Sequence, residues 1–184
     1  MKKMTFALIT LAAALMTVGF SCVNDPFTVP VNLTISQTYD VNNGNAGSVA
    51  SFGGTKQVTL QDQIDQSYLK NITSSRVSDL RVSTIGDFGG SFSVSVAING
   101  ATILTVNNRA WNDFHAPQSV LTSNLIQRNP AGVNQLLIAL QTLQSTQNVT
   151  VTLSANGSIT TPYPGGLQVN IELISQVDAQ VSGS

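Results

Sequence analysis

The stretch Leu167-Gln168-Val169-Asn170-Ile171-Glu172-Leu173-Ile174-Ser175-Gln176-Val177-Asp178-Ala179-Gln180-Val181 decides the fold. Its odd positions are apolar except Ser175, and its even positions are polar except Ile174. A period of two puts one face in a core and the other in water, which is the pattern of a β-strand. Six further segments behave similarly. Phe27, Val29, Val31, Leu33 and Ile35 alternate with polar residues or Pro30, which cannot donate a ladder hydrogen bond and so belongs at an edge or a strand end. Lys56–Leu60 is short and β-prone. Val77–Ile85 alternates at Leu80, Val82 and Thr84.

Phe92, Val94, Val96 and Ile98 alternate with Ser91, Ser93, Ser95 and Ala97, and then Asn99-Gly100 precedes the β-branched run Ala101–Val106. Asn-Gly between two such runs predicts a type I′ hairpin, because both turn residues need φ > 0. A plain two-residue turn would pair Val96 with Ile103 and Val94 with Thr105. Val149, Val151, Leu153 and Ala155 alternate up to a second Asn-Gly at Asn156-Gly157. Two helices interrupt the strands. Gln61–Lys70 spaces Leu60, Ile64 and Tyr68 by four. Asn129-Pro130 is an N-cap followed by proline at the first helical position, with Val133, Leu136, Leu137, Leu140 and Leu143 on one stripe. The expectation is a mainly β fold: an antiparallel two-sheet, immunoglobulin-like sandwich of about seven strands with one or two short helices.

Composition agrees with that class. Charged residues make up 9% of the 184, against roughly 25% in an ordinary soluble domain. Uncharged polar residues take their place, with 20 Ser, 19 Thr, 16 Asn and 14 Gln. Eight Lys and Arg against nine Asp and Glu leave no basic face for nucleic acid and too little charge for a disordered tail or a coiled coil.

Residues 1–22 read as an export signal. Lys2 and Lys3 precede an uncharged run from Met4 to Phe20, which Ser21-Cys22 closes. Seventeen residues at about 1.5 Å rise fall short of the ~30 Å hydrocarbon core, so the run suits a cleaved leader better than a spanning helix. Cys22 is the single cysteine, which excludes a disulfide within the chain. Gly19 and Ser21 satisfy an ordinary small-x-small cleavage site. Val18-Gly19-Phe20-Ser21-Cys22 also resembles a bacterial lipobox, whose cysteine becomes the lipid-modified first residue. It departs from that pattern in having Gly19 three positions before the cysteine. Val23 rather than Asp after Cys22 resembles lipoproteins bound for the outer membrane. Val23–Pro26 would then be a tether and residues 27–181 the domain.

The order of parts, ending in Pro162-Tyr163-Pro164-Gly165-Gly166 and the long last strand, resembles small uncharacterised bacterial envelope lipoproteins whose sandwich is immunoglobulin-like, of the late-embryogenesis-abundant type. That resemblance implies a fold and an anchored address. It brings no catalytic residue with it.

Chemistry-bearing motifs are sparse. His115 is the only His, with Asp113 two residues before it, but no nucleophile elbow supplies a serine. One His and one Cys are too few for a zinc centre. Asp40-Val41-Asn42-Asn43-Gly44-Asn45 places Gly fifth and Asn sixth, the wrong order for an EF-hand loop, and Ser51 stands where the twelfth-position Glu should be. No cofactor fingerprint is present. Asn107–Gln118 is the candidate binding segment. It contains Arg109, Trp111, Phe114 and His115, and Trp and Arg are the types most enriched in interface hot spots. The same aromatics suit a plug in the open end of a sandwich. The functional expectation is a lipid-anchored, non-enzymatic envelope protein with a binding or structural role and a protein or glycan partner. A carbohydrate-binding module and a subunit donating its last strand from an edge are the alternatives.

Overall fold

A computed structural model describes residues 27–41, 50–160 and 165–181 of the chain, without the side chains of Ala50 and Gln66. The signal, Cys22, the tether, most of the Asn- and Gly-rich loop and Thr161–Pro164 lie outside the described residues.

Along the chain run β1 (Phe27–Asp40), β2 (Ala50–Thr59), α1 (Gln66–Leu69), β3 (Ile72–Ile85), β4 (Ser91–Ile98), β5 (Ala101–Ala110), β6 (Gln118–Ser119), β7 (Gln127–Arg128), α2 (Pro130–Thr146), β8 (Thr150–Ile159) and β9 (Gln168–Val181). Two antiparallel sheets form, with orders β1-β9-β3-β6 and β2-β8-β4-β5-β7. The expected two-sheet sandwich is present, with nine strands rather than seven. Seven are long, and β6 and β7 have two residues each. In the constant-type immunoglobulin order the first strand shares a sheet with the second, fifth and fourth. Here β1 lies beside β9, so this chain has the architecture with a different strand order.

β9 explains the arrangement. Val169, Ile171, Leu173, Val177 and Ala179 are buried as the alternation requires, and Ser175 shares their face. β1 pairs with it along its whole length, from Phe27 opposite Val181 to Asp40 opposite Gln168, and β3 pairs on the other side. The last strand is therefore internal. The expectation that it could be donated from an edge is corrected, because both of its ladders are occupied. β1 is the edge strand, where Pro30 is tolerated.

Several boundaries differ from the sequence reading, each for a local reason. The helix over 61–70 is two turns. A 3₁₀ turn at Leu60–Gln63 ends at extended Ile64, and the Asp65 carboxylate then accepts from Ser67 N at 2.8 Å and starts α1. β2 begins at Ala50, not Lys56, and passes through Gly53-Gly54 in unbroken register with β8. β8 does not stop at Asn156-Gly157. The Phe52 ring covers Gly157 where a Cβ would stand, and so fills a site that would otherwise weaken the strand. In β3 a bulge between Val77 and Asp79 lets Val77 and Leu80 both face the sheet interior.

The hairpin turn forms as expected, with φ of 47° at Asn99 and 82° at Gly100. Its register is not the plain one. Ala97 pairs with Thr102, but Val96 pairs with Leu104, because Ile103 is the extra residue of a bulge. The bulge buries Ile103 and Leu104 together and presents the Ile103 carbonyl to Asn129 N at 2.8 Å. α2 starts there. Asn129 caps it by accepting from Ala131 N, and Val133, Leu136, Leu140 and Leu143 are buried. α2 packs on β3 and β5 and covers one open side of the sandwich.

The sandwich has two ends about 45 Å apart, given fourteen-residue strands at ~3.3 Å per residue. One end carries Phe27, Val181 and α1, with the Asn71 carbonyl accepting from Gln180 N. The other carries Gly86–Gly90 and the chain after Ala110.

Candidate functional site

The four candidate binding residues separate into two pairs. β5 runs to Ala110, so Asn107–Ala110 is strand rather than loop. Arg109 is exposed opposite Phe92, and a bulge beside it holds Asn108 at φ 44°. Trp111 and Phe114 lie on a 3₁₀ turn, Trp111–Phe114, and both have no accessible surface. Trp111 is held at every polar atom. Its backbone N–H donates to the Gly90 carbonyl at 3.0 Å, its indole Nε1 donates to the Gly86 carbonyl at 2.7 Å, and its carbonyl accepts from Thr84 Oγ1 at 2.9 Å. Phe92 stacks edge-on against it at 5.3 Å between centroids and against Phe114 at 5.0 Å. This cluster plugs the end of the sandwich, so Trp111 and Phe114 offer nothing to a partner from this conformation.

His115 stays on the surface. Its Nε2 is 3.1 Å from the Gly86 carbonyl and 3.8 Å from Asp87 Oδ1. Its neighbouring carboxylate is thus Asp87, across the end loops. Asp113, two residues before it, uses its carbonyl to accept from Gln118 Nε2. No serine hydroxyl bonds to His115 among the described residues, so the structure assembles no Ser-His-Asp relay there. Asp40, the first residue of the rejected calcium segment, accepts from Gln168 Nε2 at 2.7 Å as part of the sheet face. Among the described residues no three His, Cys, Asp or Glu side chains gather as a metal site.

A concavity lies elsewhere, on the outer face of the five-stranded sheet. A hollow of about 500 Å³ is framed by β2, β8 and β4. It adjoins one of about 330 Å³ over β4, β5 and β8, and both share Ser51, Ser95 and Asn156. The strand pairing explains the lining. Thr55 stands opposite Ser154, and Asn156 stands opposite Ser95. No ionisable side chain lines either hollow, and Phe52 beneath is buried. The Ser95, Ser154 and Asn156 side chains make no hydrogen bond among the described residues.

The other sheet's outer face contrasts with this one. Ser74 donates to Asp178 Oδ2 at 2.6 Å, and Arg76 donates to Gln176 Oε1 at 2.7 Å. Asp79 accepts from Leu80 N, Arg81 Nε and Ser119 Oγ, which ties β6 to β3. The alternation of Ser91, Ser93 and Ser95 already marks one row of the hydroxyl face. Sequence reasoning misses the trough because it depends on β8 pairing with β2 on one side and β4 on the other, which no local pattern encodes.

No protein-family model matches the chain, and no curated protein is significantly similar to it, so function must be argued from these residues.

Proposed function

We propose that this is a lipid-anchored bacterial envelope protein, acylated at Cys22 in the outer membrane, whose role is non-enzymatic binding. The hydroxyl-lined trough is the observation that supports the binding role. It offers donors and acceptors over a broad concave face and holds no group that titrates near neutral pH, which suits recognition of an uncharged polar ligand rather than acid–base chemistry.

That lining favours the carbohydrate alternative over strand donation. Ser, Thr and Asn side chains match the hydroxyls of a neutral glycan, while the trough lacks an exposed aromatic ring for stacking. Binding would then rest on many hydrogen bonds, each worth about 0.5–1.5 kcal/mol net. Two measurements test the reading. Labelling with a fatty-acid analogue should mark the parent and not Cys22→Ser; equal labelling removes the anchor. A neutral-glycan array should retain the protein and lose Ser95→Arg at unchanged stability; an array that retains neither removes the carbohydrate reading.

A further inference from the structure

We infer that the end of the sandwich carrying Phe27 and Val181 rests on the bilayer that holds the anchor, with the Phe27 ring at its interface. The inference rests on acylation at Cys22. Its geometry comes from where β1 begins. Phe27 is already paired with Val181, so β1 is in the sheet from the first residue after the tether. Five Cα steps separate Cys22 from Phe27, a span of at most about 18 Å. The strands are about 45 Å long, so a tether this short cannot let the domain turn over.

A second observation falls at the same place. Among the described residues, four large apolar side chains are exposed: Phe27, Ile85, Leu121 and Ile138. Ile85 ends β3 at the far end, Leu121 lies between β6 and β7, and Ile138 lies on the outer side of α2. Of these four, Phe27, 55% exposed, stands at the point where the chain leaves for the membrane. An aromatic ring gains free energy at the boundary between headgroups and acyl chains. The Asn71 carbonyl accepts from Gln180 N at 2.8 Å, which brings exposed Lys70 to this end among the headgroups. Asp65, the N-cap of α1, balances Lys70, the residue that ends the same helix, so no net positive charge from α1 attracts this end to anionic lipid. The fit is apolar and steric, to a bilayer of either headgroup charge. In this orientation Arg109, His115 and Asp87 are at the outward end, away from the lipid.

The test uses the full acylated protein in phosphatidylcholine vesicles carrying nitroxide-headgroup lipid. Cys22 is blocked by its lipid, so a single introduced thiol takes a fluorescent label at Lys70→Cys or at Asp87→Cys. Strong quenching at position 70 and none at position 87 is expected. Loss of part of the quenching at 70 in Phe27→Ser, with flotation retained, is expected as well. Equal quenching at both positions in protein that floats overturns the orientation and leaves the anchor standing. Unchanged quenching in Phe27→Ser overturns the role of the ring. A parent chain that carries no lipid by mass and does not float overturns the anchor and the orientation together.

Discussion

The indole N–H of Trp111 donates to the carbonyl of Gly86 at 2.7 Å, and the same carbonyl lies 3.1 Å from His115 Nε2. One backbone oxygen on the β3–β4 loop thus fastens the chain that follows β5 across the end of the sandwich. Burial without accessible surface, with both polar ends of the residue bonded, makes Trp111 a structural plug.

Trp111→Ala should therefore cost roughly 3–5 kcal/mol in a denaturant titration, the range for removing a large buried aromatic. Trp111→Phe should keep part of the packing and leave the Gly86 carbonyl short of a donor, for an intermediate loss. A Trp111→Ala domain as stable as the parent would contradict the plug and return the residue to the surface.

In the turn between β4 and β5, Gly100 has φ 82° and open space where its Cβ would go. Any penalty for Gly100→Val is then backbone strain alone, about 1–2 kcal/mol. Asn99 should be sensitive too, since its N–H donates to Thr152 O and its Oδ1 accepts from Thr152 N, both at 2.9 Å. A melting temperature unchanged in Gly100→Val would be incompatible with the turn.

Gly132 makes a prediction of unusual sign. Within an α-helix, glycine to alanine normally stabilises by up to about 1 kcal/mol. Here a Cβ would collide with the Thr102 carbonyl oxygen and the Ile103 backbone, where α2 packs on the β5 bulge. Both obstacles are main chain and cannot rotate away. Gly132→Ala should thus destabilise by an amount on the order of 1–3 kcal/mol, the cost of overpacking. Stabilisation in calorimetry would mean that the helix stands further from the bulge.

These sites show what was legible in the sequence. Asn99-Gly100 and Asn129-Pro130 were readable because each sets its own backbone through local chemistry, and the β9 alternation was readable because it runs from Leu167 to Val181 with Ile174 and Ser175 alone out of pattern. The register at Val96 was not, because the bulge at Ile103 answers to α2, which begins only at Pro130. Asn156-Gly157 carries the same turn signal as Asn99-Gly100, but Phe52 from another strand overrides it. For the site, the position of His115 beside Asp87 and the neighbours of Ser95 follow from strand order. Strand order is set by the whole core and by no single segment.

Ser74 donates its hydroxyl to Asp178 Oδ2 at 2.6 Å, Gln176 Nε2 donates to Oδ1 at 3.2 Å, and Arg76 Nη1 stands 3.9 Å away. The Ser74 hydrogen bond comes first among the causes that hold the Asp178 carboxyl below its ordinary pKa, with Gln176 and Arg76 assisting and desolvation opposing. A folded pKa below the unfolded one means that the native state binds the proton less readily. Its stabilising effect is then complete above the unfolded pKa and disappears as pH falls through the folded one. In a carboxyl NMR titration, Asp178 should titrate below an ordinary Asp, and Ser74→Ala should move it upward. Arg76→Gln should move it less, since a partly exposed charge at that distance is screened. The mutant should also lose less stability on acidification than the parent, because less of its stability at neutral pH depends on that ionised group. An Asp178 titration indifferent to Ser74→Ala and responsive to Arg76→Gln would reverse the assignment and make the guanidinium the dominant partner.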